Sequence, residues 1–229
     1  DPSCILYLPL WKLDGDSFMS RDAYGHLCTN HGSLWTPHGR KFNGTSDYID
    51  VGKLGNFGSS LGTGKRYVLS GWLQSSVTDG GRAVWGILNT GSTTALLVYI
   101  NDGWPAGVAA GLIGAYLRAE DNATVSGKVN TNTGITDGSW HYLVVNIDGP
   151  NNVIEVYLDG VLQTFTYDAQ ENPDNTANFE FPLFIGADNN RGAPANFWDG
   201  HIPAILVYSR ALAPQEITAH YTMGKEVFG

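Results

Sequence analysis

The chain of 229 residues is poor in charge and in cysteine. Only 15 % of its residues are charged, too few to line the wet faces of many amphipathic helices. Lys and Arg number 13 against 22 Asp and Glu, and the formal net charge of −9 works against phosphate backbones and anionic membrane surfaces. The basic residues are also scattered, so nucleic acid is not an expected partner. No apolar run approaches the roughly 20 residues that a helix needs to cross a bilayer, and no membrane insertion is expected. The start, Asp1-Pro2-Ser3-Cys4, is neither a methionine nor a signal peptide, and the expectation is an excised or processed domain. With two cysteines, Cys4 and Cys28, the redox compartment stays open. A bridge would close a loop of about two dozen residues and contribute roughly 3 kcal/mol, whereas two buried thiols need no such geometry.

What is abundant is turn and strand chemistry. Twenty-nine glycines and 12 % aromatic residues suit an all-β protein with many turns, and the length suits one large β domain spanning residues 1–229. The most legible piece is "DGSWHYLVVNIDGPNNVIEVYLDGVLQTF": Trp140 to Ile147 and Val153 to Leu158 read as an antiparallel hairpin, and Asp159-Gly160 turns the chain into a third strand. "RYVLSGWLQSS", "RAVWGIL" and "TALLVYI" read as further strands between Gly, Ser, Thr and Asp clusters, a spacing that suggests a sandwich. "YDAQENPDNTAN" reads as a polar loop. In "GHIPAILVYSRALAPQEI" the run Ile202 to Tyr208 reads as a strand buried on both faces. It is followed at Pro214 by a helix of one or two turns, with Ile217 and Tyr221 on the face toward the sheet. Trp140 and Tyr48 are expected in the core.

The order of "FNGTSDYIDVG", "YVLSGWLQ", "DGSWHYLVVNID", "NVIEVYLDGVL", "PLFIGADNN" and "GHIPAILVYSRALAPQEITAHY" resembles a laminin-G-like, concanavalin A-like domain over nearly the whole chain. The resemblance implies a jelly-roll β-sandwich of two antiparallel sheets with a short C-terminal helix, in which Ile202 to Tyr208 lies beside the N-terminal strand and the helix packs on the rim. It also implies one calcium ion at the edge of the sandwich, for which Asp22, Asp47 and Asp199 are the candidate ligands. One departure bears on that site: where the family commonly carries an aspartate after Gly-x-Ile, this chain has Pro203.

The residues disfavour catalysis. Retaining glycosidases need two carboxylates about 5 Å apart, which on one strand means alternate acidic residues. No glutamate here has a carboxylate two positions away on one strand, and a Gly-x-Ser-x-Gly elbow and a phosphate-binding Gly-rich loop are both missing. His26, Cys28, His31 and His38 match no usual zinc spacing. Ligand contact is expected instead at two Gly-rich segments carrying aromatics and amides. "NDGWPAGVAAGLIGAYLRAEDN" contributes Trp104, and "GADNNRGAPANFWDG" contributes Asn189, Asn190, Arg191, Phe197 and Trp198. Trp104 in a turn would stack on a sugar ring, or else cover the mouth of the sandwich or a neighbouring subunit. Two readings of function follow. One is a glycan-binding module of a larger extracellular protein; the other is a structural or adhesion domain of a surface or virion protein that docks on further domains or on copies of itself. Two Asn-x-Thr triplets, at Asn43 and Asn122, fit a secreted origin.

Overall fold

The computed structural model describes residues 1–52, 64–78, 81–88, 94–100, 109–118, 125–170 and 181–229. Among them the strands form two large antiparallel sheets, as alternating and continuous apolar runs separated by glycine turns require. The first sheet runs in the order β14 (Val161–Leu162), β13 (Val153–Leu158), β12 (Trp140–Asp148), β7 (Arg66–Gln74), β19 (Asp199–Tyr208), β5 (Gly39–Asn43) and β4 (Leu34–Thr36). β1 (Cys4–Pro9) also pairs with β19. The second sheet runs β15 (Phe165–Ala169), β11 (Val125–Gly134), β10 (Leu112–Arg118), β9 (Thr94–Ile100), β8 (Arg82–Leu88), β16 (Leu183–Ile185), β6 (Tyr48–Asp50), β3 (Leu27–His31) and β2 (Ser17–Met19). A separate hairpin joins β17 (Asp188–Asn190) and β18 (Ala193–Ala195).

The core lies between the two large sheets. Leu6, Leu8, Leu69, Leu143 and Ile205 from the first meet Ile49, Trp85, Val98, Val129 and Ile185 from the second, all buried. Burying each aliphatic or aromatic side chain contributes about 1.5–3 kcal/mol, which fixes the sheet faces in register. The hairpin and third strand at Trp140–Leu162 form as the sequence indicates, with Asp148 opposite Val153 and Leu158 opposite Val161. β19 does lie beside the N-terminal strand, Leu8 facing Ile205. Its pairing with β7 is irregular between His201 and Ala204, where Pro203 has no N–H to give the ladder.

Three local expectations change. The C-terminal helix is α1 (Pro214–Phe228), longer than two turns, and it covers the outer face of the first sheet rather than its rim. There it closes a second cluster of Val68, Trp72, Tyr142, Val144, Tyr157, Tyr208 and Ile217. The Trp72 ring stacks on Tyr221 at 5.8 Å, and Gly224 makes the approach possible, since a side-chain carbon there would fall 2.1 Å from the indole nitrogen. This explains why Ile202 to Tyr208 is apolar on both faces. Trp140 is only half-buried at the margin of that cluster, near His201 and Phe228. Tyr48 faces outward because its neighbour Ile49 takes the core side of the same short strand. Finally, the polar stretch after Thr166 is in part strand, since β15 carries Tyr167 to Ala169 at the sheet edge. Its continuation at 171–180 lies outside the described residues.

Candidate functional site

Directly paired residues of an antiparallel ladder point to one side of the sheet. Across β8, β9, β10, β11 and β15 one such row reads Ala83, Tyr99, Gly114, Asn130 and Tyr167. The row beside it reads Gly86, Leu97, Tyr116, Lys128 and Ala169, and it continues through Phe184 and Asp50 to Thr29. Their chain neighbours Val98, Ala115 and Val129 belong to the core, so these two rows face away from it. An outward sheet face of this kind usually meets water. Here it is buried: Tyr99, Tyr116 and Asn130 are each less than a tenth exposed, and Lys128 is 1 % exposed.

The centre of the patch is a residue without a side chain. A carbon placed on Gly114 would fall 2.5 Å from Cε1 of Tyr99 and 2.9 Å from Nδ2 of Asn130, so the phenol ring and the amide both lie over bare backbone. Among the described residues neither Oδ1 nor Nδ2 of Asn130 has a hydrogen-bond partner, although the residue is fully buried. A buried amide left unsatisfied costs about 1–3 kcal/mol, so this group works against the stability of the fold. The Lys128 ammonium sits 5.8 Å from the centre of the Tyr99 ring and 5.9 Å from that of Tyr167. The Arg118 guanidinium lies 5.4 Å from the Tyr116 ring. Burial pushes the Tyr116 hydroxyl above its ordinary pKa, with Arg118 opposing the shift and Asp188 adding to it.

The second Gly-rich segment that the sequence singles out does reach this face. Gly86 lets the β17 backbone rest on the sheet, since a carbon there would meet the Asn189 nitrogen at 3.0 Å. The segment's residues separate in role. Asn189 is buried and donates from Nδ2 to the Pro182 carbonyl at 2.9 Å. Asn190 and Arg191 are exposed at the hairpin turn, Arg191 in the left-handed region at φ 55°. Trp198 faces the interior between the sheets, not the outward face. Its indole is fully buried in the core, because Asp199 begins the strand and alternation turns the preceding side chain inward. Beside the hairpin the outward face carries an aromatic stack, with His31 and Tyr48 parallel at 4.3 Å and Tyr48 against Phe184 at 4.8 Å. Trp104 lies outside the described residues.

The three aspartates expected to hold calcium do not gather. Asp22 accepts from the N–H groups of Tyr7, Tyr24 and Gly25 at 3.0, 2.9 and 3.1 Å. Burial raises its pKa, but hydrogen bonds from Ser20 and those three N–H groups outweigh that and hold it below the usual range. Asp47 accepts from Asn43 N–H at 3.1 Å and from the Ser46 hydroxyl, closing the β5–β6 loop. Asp199 sits across from Asn43 at the start of β19. Among the described residues no three of His, Cys, Asp or Glu are grouped to hold a metal. His26, Cys28, His31 and His38 are likewise apart in role: His26 bonds the Ile5 carbonyl, His31 stacks on Tyr48, and His38 lies by Trp140. Cys4 and Cys28 are both free, and burial, with Asp22 and Asp50 nearby, pushes the Cys28 thiol up to about 12.

Tyr99, Lys128, Asn130 and Tyr167 are absent from the sequence-based candidates. The one local signal is "KVN", where two polar residues flank Val129 with the period of a strand and so must share the face opposite the core.

Comparison with known proteins agrees with this architecture. The family model of the concanavalin A-like lectin/glucanases superfamily matches residues 43–218, and the chain belongs to that family. No curated protein matches it in sequence. Among solved structures it is similar to the receptor-binding domain of botulinum neurotoxin C/D mosaic serotype, at 14 % identity and a TM-score of 0.70, covering 96 % of this chain and 51 % of that one. It is similar also to the binding domain of botulinum neurotoxin DC in complex with SialylT, at 12 % identity, a TM-score of 0.68 and coverage of 96 % and 51 %. A third is a structure of botulinum neurotoxin type C, a toxin whose uptake by cells depends on interaction with two ganglioside molecules. That match has 11 % identity, a TM-score of 0.67 and coverage of 96 % and 51 %. The chain spans about half the length of these structures, and the likeness is one of fold.

Proposed function

We propose that this domain is a non-catalytic carbohydrate-binding module of a larger extracellular or surface-exposed protein, and that it binds glycan on the outward face of its second sheet. The observation that carries the reading is the row Tyr99, Gly114, Asn130, Tyr167, which joins aromatic faces and an unsatisfied amide over side-chain-free backbone. Sugars are bound by that combination: ring faces stack on aromatics while amides meet hydroxyls. Catalysis needs carboxylates held ready for proton transfer or attack. Among the described residues, the carboxylates on or over this face accept hydrogen bonds, Asp50 from Gly52 N–H at 2.6 Å and Asp188 from the Asn196 amide at 3.4 Å. Structural neighbours crystallised with, or dependent on, glycans support the same reading.

A glycan array at pH 7 tests it. The protein is expected to retain a defined set of glycans, and Tyr167→Ala to weaken that retention at least tenfold, about 1.4 kcal/mol. Because Tyr167 is half-buried on an edge strand, its melting temperature should stay within a few degrees. An array on which nothing is retained overturns the module and favours a structural or adhesion domain.

A further inference from the structure

Resting on that reading, we propose that Asn130 is the residue that recognises the sugar and that the sugar is a neutral pyranose gripped by two adjacent hydroxyls. An asparagine amide offers an acceptor and a donor side by side, and a vicinal diol offers the complementary pair on neighbouring carbons. Oδ1 of Asn130 accepts from one hydroxyl, and Nδ2 donates to the oxygen of the next. Both amide atoms are buried, and nothing among the described residues satisfies them. Nδ2 lies over Gly114, where the lack of a side chain leaves the room that the Tyr99 ring now occupies.

The Tyr99 ring rests on the same Gly114, and because Asn130 is fully buried the proposed contact requires that ring to move aside, which would present an aromatic face to the pyranose. The neighbouring ammonium does not require an acidic sugar, for Lys128 lies against the Tyr99 and Tyr167 rings. With a net charge of −9 the protein as a whole repels polyanions. An uncharged reader such as asparagine matches an uncharged ligand.

A stability cost retained for function gives the test two separate readouts. Asn130→Leu keeps the side chain's approximate shape and removes the unsatisfied amide. It is expected to raise the melting temperature, or at least not lower it, while reducing retention of immobilised neutral galactosides, glucosides or mannosides at least tenfold. Asn130→Ala, which cannot overpack, is expected to lose retention to the same degree and so decides the matter if the leucine does not fit. Wild-type-like retention by a folded Asn130→Ala overturns the inference while leaving the module intact, and the site then lies elsewhere. Retention of sialylated glycans alone overturns the neutral-ligand assignment. If the wild-type protein retains no glycan at all, the module and this inference fall together. A lowered melting temperature in both variants with retention unchanged makes Asn130 a structural residue.

Discussion

At the residue scale, single side chains show how closely chemistry depends on what is opposite. His141 stands between two carboxylates: Nδ1 is 2.8 Å from Asp159 and Nε2 is 3.0 Å from Asp137. Both contacts are donated only when the ring carries two protons. The bond to Asp159 is the main reason that its pKa is raised above the ordinary histidine value, against the opposing effect of burial. A folded pKa above the unfolded one adds stability that is fully present below about pH 6.5 and is lost as pH rises through the folded value. His141→Gln is therefore expected to cost about 1–3 kcal/mol near pH 5.5, read as a drop of several degrees in melting temperature. The gap to the wild-type protein should narrow at pH 9; a gap that is the same at both pH values removes protonation from the account. From the sequence, Trp140-His141 is only a polar-aromatic pair after a turn. That Asp159, eighteen residues on, caps the same histidine is visible only once β13 has folded back.

At the element scale, the C-terminal strand and the start of its helix are legible in the sequence, but the reason for the strand's double apolarity is not. Continuous apolar residues from Ile202 to Tyr208 call for cover on both faces, and the cover on one of them is the helix that follows. The helix start is local chemistry. Pro214 stands at its first turn, and Glu216 accepts the Ala213 N–H at 2.9 Å. Arg210 reaches the same carboxylate with two nitrogens, at 2.8 and 2.7 Å, and together with that N–H holds its pKa down to about 2. A depressed carboxylate adds stability above its unfolded pKa, near 4.5, and loses it as pH falls through about 2. The pair is exposed, so solvent screens it to less than about 1 kcal/mol. Glu216→Gln should lower the melting temperature by about 1–3 °C at pH 7, with the difference vanishing near pH 2. An undiminished difference at pH 2 would assign the effect to packing.

At the scale of the whole molecule, the sandwich expected from the motif order is the sandwich observed, down to the pairing of the first and last strands. The three aspartates that the same resemblance implies for calcium do not form one group among the described residues. Asp22 serves a turn near β1, whereas Asp47 and Asp199 border the β5–β6 loop at the start of β19. An ion bound to the native state alone would raise stability by mass action. EDTA is accordingly expected to leave the melting temperature unchanged, and a fall of several degrees on chelation would restore a calcium site built from other oxygens.

The sequence by itself determined the class of the fold, the hairpin at Trp140–Leu162 and the alternation that sends Val129 inward, because period, turn chemistry and apolar runs act between residues close in the chain. It named the Gly-rich segment carrying Asn189 to Arg191 and Trp198, but not that Asn189 and Trp198 are buried. Only the tertiary structure decided the composition of the site. Tyr99, Gly114, Asn130 and Tyr167 come from four strands, and what makes them neighbours is the register of the ladders between those strands. Register is set by burying one whole face of a sheet at once, so it is a property of all the strands together and is written in no single one of them.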